Sequence, residues 1–147
     1  MRPSSQPKIL IIEDNVHNHD LYKDAFEKVG FEVVITPNAD GYFIDMVNEI
    51  RPDIISMDLM IGNSGSVAER EGLEAIELLK GDLRTHEIPI FVLTNFFEEG
   101  KVRRAKELGA VDYINLGGHS MSKIPEYYKK YLDDPKHYVP VHPLMKS

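Results

Sequence analysis

The chain has 147 residues, 42% of them hydrophobic and 28% charged, with a formal net charge of -7 and no cysteine. That length suits one domain able to bury a core without staples and leaves no room for two. The acidic balance, with no dense Lys/Arg block, argues against a direct nucleic-acid surface, and the absence of cysteine excludes disulfide and thiolate chemistry.

Met1-Arg2-Pro3-Ser4-Ser5-Gln6-Pro7 has no secretory apolar region, and 1–7 is predicted to be a flexible tail. No apolar stretch approaches membrane length, so the expected location is the cytoplasm, without membrane insertion. Lys8-Ile9-Leu10-Ile11-Ile12 reads as a strand buried on both faces, ending at Glu13-Asp14-Asn15. A helix follows over 15–29, with Gly30 as its stop. The alternation then repeats: strand 32–35, helix 39–50, strand 53–57, helix 72–79, strand 88–93, helix 98–108, strand 111–114 and helix 123–132. Pro125 is tolerable there only in the first turn. The one long irregular connection is 59–71, containing Gly62-Asn63-Ser64-Gly65-Ser66; it is either a docking element or slack. Residues 134–147, with Pro135, Pro140 and Pro143, are predicted to be a mostly extended, loosely attached C-terminal extension.

Five strands alternating with helices imply a doubly wound α/β domain, a parallel sheet covered on both faces, here over 8–133. In such sheets the ligand crevice lies beyond the carboxyl ends of the strands. Glu13 and Asp14 follow the first strand and Asp58 follows the third. Singly, each has a structural reading, and Asp14 or Asn15 equally serves as a helix cap. Together they repel one another, a cost usually relieved by a cation, and an all-oxygen ligand set suits Mg²⁺. Thr94 ends the fourth strand and brings a hydroxyl to the same crevice.

Ile11-Ile12-Glu13-Asp14-Asn15, Ile54-Ile55-Ser56-Met57-Asp58-Leu59-Met60, Pro89-Ile90-Phe91-Val92-Leu93-Thr94 and Gly109-Ala110-Val111-Asp112-Tyr113-Ile114, in this order, resemble the receiver domains of two-component response regulators. The resemblance implies the flavodoxin-like strand order 2-1-3-4-5. It implies that Asp58 is the phosphoacceptor, taking a phosphoryl group from a histidine kinase or phosphotransfer protein. Glu13, Asp14, Asp58 and the backbone carbonyl of Met60 would hold Mg²⁺. Thr94 would hydrogen-bond the phosphoryl group, and Tyr113 would be the switch aromatic that passes the change to a surface for a downstream protein. Such a receiver catalyses only its own phosphorylation and dephosphorylation.

The sequence departs from the family in three places. Receivers normally place a lysine and then a proline three residues after the switch aromatic, where this chain has Leu116 and Gly117. Lys101 and Lys123 are candidates to replace that lysine, against their plain reading as solvated helix residues. Asn95 stands where a small residue is usual, and with Phe96 it is expected to crowd the mouth of the site. The loop after Asp58 is longer than usual, with Gly62 for a common proline. Two functions follow: a single-domain response regulator acting through altered protein–protein interaction, or a degenerate receiver that binds partners independently of phosphorylation. A dehalogenase-type phosphatase would need a second aspartate at position 60, where Met60 stands. His17 and His19 do not share a helix face, which disfavours a metal role. Gly117-Gly118-His119-Ser120 lacks the ending of a phosphate-binding loop.

Overall fold

The computed structural model describes residues 6–59, 71–95 and 97–146. In chain order it runs β1 (Lys8–Ile12), a 3₁₀ turn (Val16–Asn18), α1 (His19–Lys28), β2 (Glu32–Thr36), α2 (Phe43–Ile50), β3 (Ile54–Met57), α3 (Gly72–Lys80), β4 (Ile90–Thr94), α4 (Glu99–Glu107), β5 (Asp112–Asn115) and α5 (Ile124–Asp133). The strands form one parallel sheet in the order β2-β1-β3-β4-β5. The expected fold is therefore the observed one, and Pro125 sits in the first turn of α5 as anticipated.

Alternation along each strand divides the core in two. Leu10, Ile12, Ile55, Met57 and Val92 face α2, α3 and α4, where they meet Phe43, Val47, Ile76, Leu79 and Val102. Ile9, Ile11, Ile54, Phe91 and Ile114 face α1 and α5, packing on Tyr22, Phe26, Ile124 and Tyr128. Of the three tyrosines on α5, Tyr128 is the one fully buried against the sheet, its ring stacked on Phe91 at 4.3 Å and edge-on to Phe26 at 4.9 Å. Its hydroxyl shares a 2.7 Å hydrogen bond with Ser56, the polar residue inside the otherwise apolar β3.

Two segments differ from expectation. Helix α2 starts at Phe43 rather than at 39, because the Asn38 side chain accepts from the Asp40 N–H at 3.1 Å and Gly41 takes a left-handed φ of 59°. Both features hold the chain in a turn until Tyr42. The stretch 134–146 is not loosely attached. It forms short 3₁₀ turns at Pro135–His137 and Pro143–Met145, and Met145 is only 4% exposed among the side chains of α4 and β5. At the other end, the Pro7 carbonyl accepts from the Glu32 N–H at 2.8 Å; the rest of the predicted N-terminal tail, 1–5, lies outside the described residues.

The Ser56–Tyr128 pair makes a double-mutant test of this core. Tyr128→Phe should lower stability by about 1–3 kcal/mol by orphaning a buried serine hydroxyl. Adding Ser56→Ala should recover most of that loss in urea denaturation. Strictly additive losses would show that the two hydroxyls do not depend on each other.

Candidate functional site

The parallel pairing of β1 with its neighbours fixes where the acids fall. The Glu13 N–H donates to the Thr36 carbonyl at 3.0 Å, and the Asp58 N–H donates to the Ile12 carbonyl at 3.2 Å, so both residues continue their strands at the same edge of the sheet. Glu13 is 3% exposed and Asp58 9%. Each of Glu13, Asp14 and Asp58 offers a carboxylate oxygen, and these oxygens all lie within 4.8 Å of one another. The three acids singled out in the sequence thus meet in one place.

Like charges at that spacing, in a buried setting, resist ionisation. Glu13 is pushed up to about 7, first by burial and then by the negative charge of Asp58. Part of the strain is relieved by the Asn15 N–H, which donates to Glu13 Oε2 at 3.0 Å. Asn15 also settles the capping alternative, because its own side chain accepts from the His17 N–H at 3.0 Å at the start of the 3₁₀ turn. His19 donates through Nε2 to the Glu13 carbonyl at 2.6 Å, a backbone contact that fixes the entry to α1.

Thr94 is fully buried as the last residue of β4, paired with Asn115 of β5. Tyr113, paired with Val92, is also fully buried. Its hydroxyl is pushed up to about 12, by burial first and then by the charges of Asp58 and Glu98. Leu116 follows β5 in a 3₁₀ turn and packs against the apolar cluster shared with α1 and α5. Asn115 caps that turn, accepting from the Gly117 N–H at 2.8 Å. Lys123 lines an open surface cleft with His119 and Glu126, and Asn95 is exposed. Met60, Phe96, Gly62 and the remainder of the loop to residue 70 lie outside the described residues.

Two residues matter here that sequence reasoning missed. Tyr22 of α1 is 2% exposed, and its hydroxyl is enclosed without a hydrogen-bond partner among the described residues. Burial pushes its ionisation well above the ordinary tyrosine range, and the charges of nearby Glu13 and Asp58 add to the push. An aromatic at helical spacing reads as core, and only the hydroxyl hinted at more. Gly72 opens α3 directly against the phosphoacceptor candidate, where an added Cβ would stand 2.4 Å from the Asp58 carbonyl oxygen and 2.6 Å from Leu59 Cα. Its signal was a glycine at the first position of an amphipathic helix, a poor helix former kept for the close approach it permits.

Residues 9–115 match the sequence model of the response regulator receiver domain. The chain belongs to this family. Over 126 residues, the receiver is 33% identical to the polar-differentiation response regulator DivK of Brucella anthropi, covering 86% of this chain and 96% of that protein. The DivK of Brucella ovis is 32% identical over the same length. Among solved structures, the receiver resembles the signal receiver domain of a signal transduction histidine kinase from Syntrophus aciditrophicus. The TM-score is 0.73 at 25% identity, over 89% of this chain and 93% of that one. Among the described residues, no helix is long and apolar enough to cross a membrane.

The receiver's acid cluster fits a hard divalent cation, because its donors are oxygens only and the charge they concentrate is already costly enough to raise Glu13. The same cost gives a sign-specific expectation for the metal-free protein. Glu13 titrates near 7 when folded against an ordinary 4.5. The native state therefore binds more protons than the unfolded state between these values, and stability should fall as pH rises from 4.5 to 7 and then level off. In the presence of a chelator, Glu13→Gln should remove that slope and raise stability at pH 8 by up to about 3 kcal/mol, read from urea midpoints. A slope that persists in the variant would place its origin in another group.

Proposed function

We propose that this receiver accepts a phosphoryl group on Asp58 from a histidine kinase or phosphotransfer protein in the cytoplasm. Its output would be an altered surface read by a downstream protein. The observation that carries this reading is the meeting of Glu13, Asp14 and Asp58 oxygens within 4.8 Å at the carboxyl edge of the sheet. A carboxylate oxygen of Asp58 attacks phosphorus as the bond from phosphorus to the donor's histidine nitrogen breaks. The electron pair of that bond stays on the imidazole, and Asp58 becomes an acyl phosphate.

Glu13, Asp14, Asp58 and the Met60 carbonyl would hold Mg²⁺. When bound, the ion supplies positive charge against which the phosphoryl oxygens are neutralised. Asn15 keeps Glu13 oriented, and Gly72 lets α3 close over the backbone of Asp58. Thr94 donates its hydroxyl to a phosphoryl oxygen and draws the segment after β4 toward Asp58. Tyr113 repacks as that segment moves, so chemistry at the sheet edge is felt at β5.

Leu116 weakens this coupling. A lysine at that position would add a charge-assisted contact on the order of 1.5–3 kcal/mol, and a leucine packed into the α1/α5 cluster adds none. This favours a second reading in part, a receiver that engages partners in one fixed state.

Intact mass after incubation with a small phosphodonor and Mg²⁺ separates the two readings. A single phosphoryl addition, lost in Asp58→Asn, is expected, and labelling that survives in that variant would refute Asp58 as acceptor. A parent that takes up no phosphoryl group would leave the fixed-state reading.

Leu116→Lys should sharpen the response to a phosphoryl mimic. Losing about 1.4 kcal/mol of coupling costs tenfold in the population ratio, so the loaded parent should be a mixture by NMR of Tyr113 and the Thr94 segment. The variant should move toward one state. A parent that already converts fully would mean that another residue has taken over the lysine's role.

A further inference from the structure

The C-terminal segment after α5 makes contacts that a passive end does not need. It crosses the outer edge of the sheet from one face to the other. Tyr138 and Val141 pack with Phe91 and Tyr131 on the α1/α5 side, while Leu144 and Met145 pack on the α4 side with Val102 and Ala105. Midway it is held by Asp112, the fully buried first residue of β5. The Asp112 carboxylate accepts from the Tyr138 hydroxyl at 2.6 Å, the Val141 N–H at 2.8 Å and the His142 N–H at 3.3 Å, besides the Tyr113 N–H at 2.8 Å. The far end is tied down by Lys106, whose ammonium donates to the Lys146 carbonyl at 2.7 Å.

His142 is the residue that connects this segment to the site. Its ring lies edge-on to Tyr113, with centroids 5.5 Å apart, and stacks on Phe97 at 5.8 Å. Phe97 is three residues beyond Thr94, so one imidazole touches both the aromatic of β5 and the segment that carries the buried threonine. The Leu144 N–H donates to His142 Nδ1 at 3.1 Å, and the Met145 N–H donates to the His142 carbonyl at 3.0 Å. The final turn is therefore built on the position of this one ring.

We infer that residues 138–146 form an intramolecular clasp over α4 and β5, and that its grip is linked to the loading of Asp58. The inference rests on the phosphoacceptor reading given above. Any movement of the Phe97 segment toward Asp58, or of the Tyr113 ring, removes contacts from His142, whose own N–H is one of the donors on Asp112, so the latch is strained with it. Loading thus loosens the end of the clasp from His142 to Met145 and uncovers the apolar side chains of Val102, Ala105 and Tyr113. Linkage is reciprocal, so loosening the clasp must in turn favour loading.

Amide hydrogen exchange on the full chain, with and without Mg²⁺ and beryllofluoride, tests the first direction. Exchange at Leu144 and Met145 should quicken by about fivefold or more in the loaded protein, the low end of ordinary coupling between sites. The reciprocal direction is tested with His142→Ala, which frees Tyr113 and Phe97, and with Tyr138→Phe, which weakens the latch without touching either ring. Both should bind beryllofluoride about fivefold more tightly than the parent. Unchanged protection in a parent whose Thr94 amide shifts on binding would overturn the clasp alone. So would variants that melt earlier yet bind the mimic with parental affinity, since the segment would then be structural only. A parent that binds no beryllofluoride would remove the phosphoacceptor reading and the clasp with it.

Discussion

Carboxylate repulsion at the carboxyl edge of the sheet is the constraint around which the rest of this molecule is arranged. Glu13 and Asp58 cannot move apart, because each has its backbone tied to a neighbouring strand: Glu13 to Thr36 and Asp58 to Ile12. The parallel ladder that gives the protein its core therefore also holds two negative charges together in a poorly solvated place. The Asn15 N–H on Glu13 and the fit to a divalent cation both answer that one problem. A buried acid pair held this way is a site ready for a positively charged ligand, made by the same hydrogen bonds that make the sheet.

Much of this was legible in the residues. The apolar runs of β1, β3 and β4 announced strands buried on both faces, and their ends carried Glu13, Asp14, Asp58 and Thr94 to the crevice that a doubly wound sheet must have. Four ordered motifs sufficed for the family. What escaped reading depended on tertiary contacts with no periodic trace. The delay of α2 to Phe43 comes from a side-chain turn at Asn38 and the backbone of Gly41, which a run of helix-compatible residues conceals. The role of Gly72 appears only when α3 is seen against the Asp58 backbone.

The C-terminal segment shows most clearly where sequence reading ends. Three prolines and a polar start suggested a fraying end, and composition alone supports that reading. Its attachment comes instead from Asp112, which sits inside an apolar strand pattern and has four hydrogen-bond donors around its carboxylate. A buried aspartate in an edge strand has to find donors, and the segment after α5 supplies three of them. The edge of β5 is covered as a result, which also protects it from pairing with another chain.

The hydrogen bond between Ser56 and Tyr128 joins residues 72 positions apart. Ser56 lies two residues before Asp58, so the floor beneath the acid cluster is finished by the last helix of the domain. During synthesis the chain emerges with the carboxylates long before the tyrosine that completes the strand supporting them. Until α5 docks, β3 carries a hydroxyl with nothing buried to bond to, and the apolar face that Tyr128 covers is left open. The order of events in the cell is thus written into the topology: the acids come first and the support for them last. A ribosome-bound chain would therefore hold all the chemistry of a receiver before it held the shape of one.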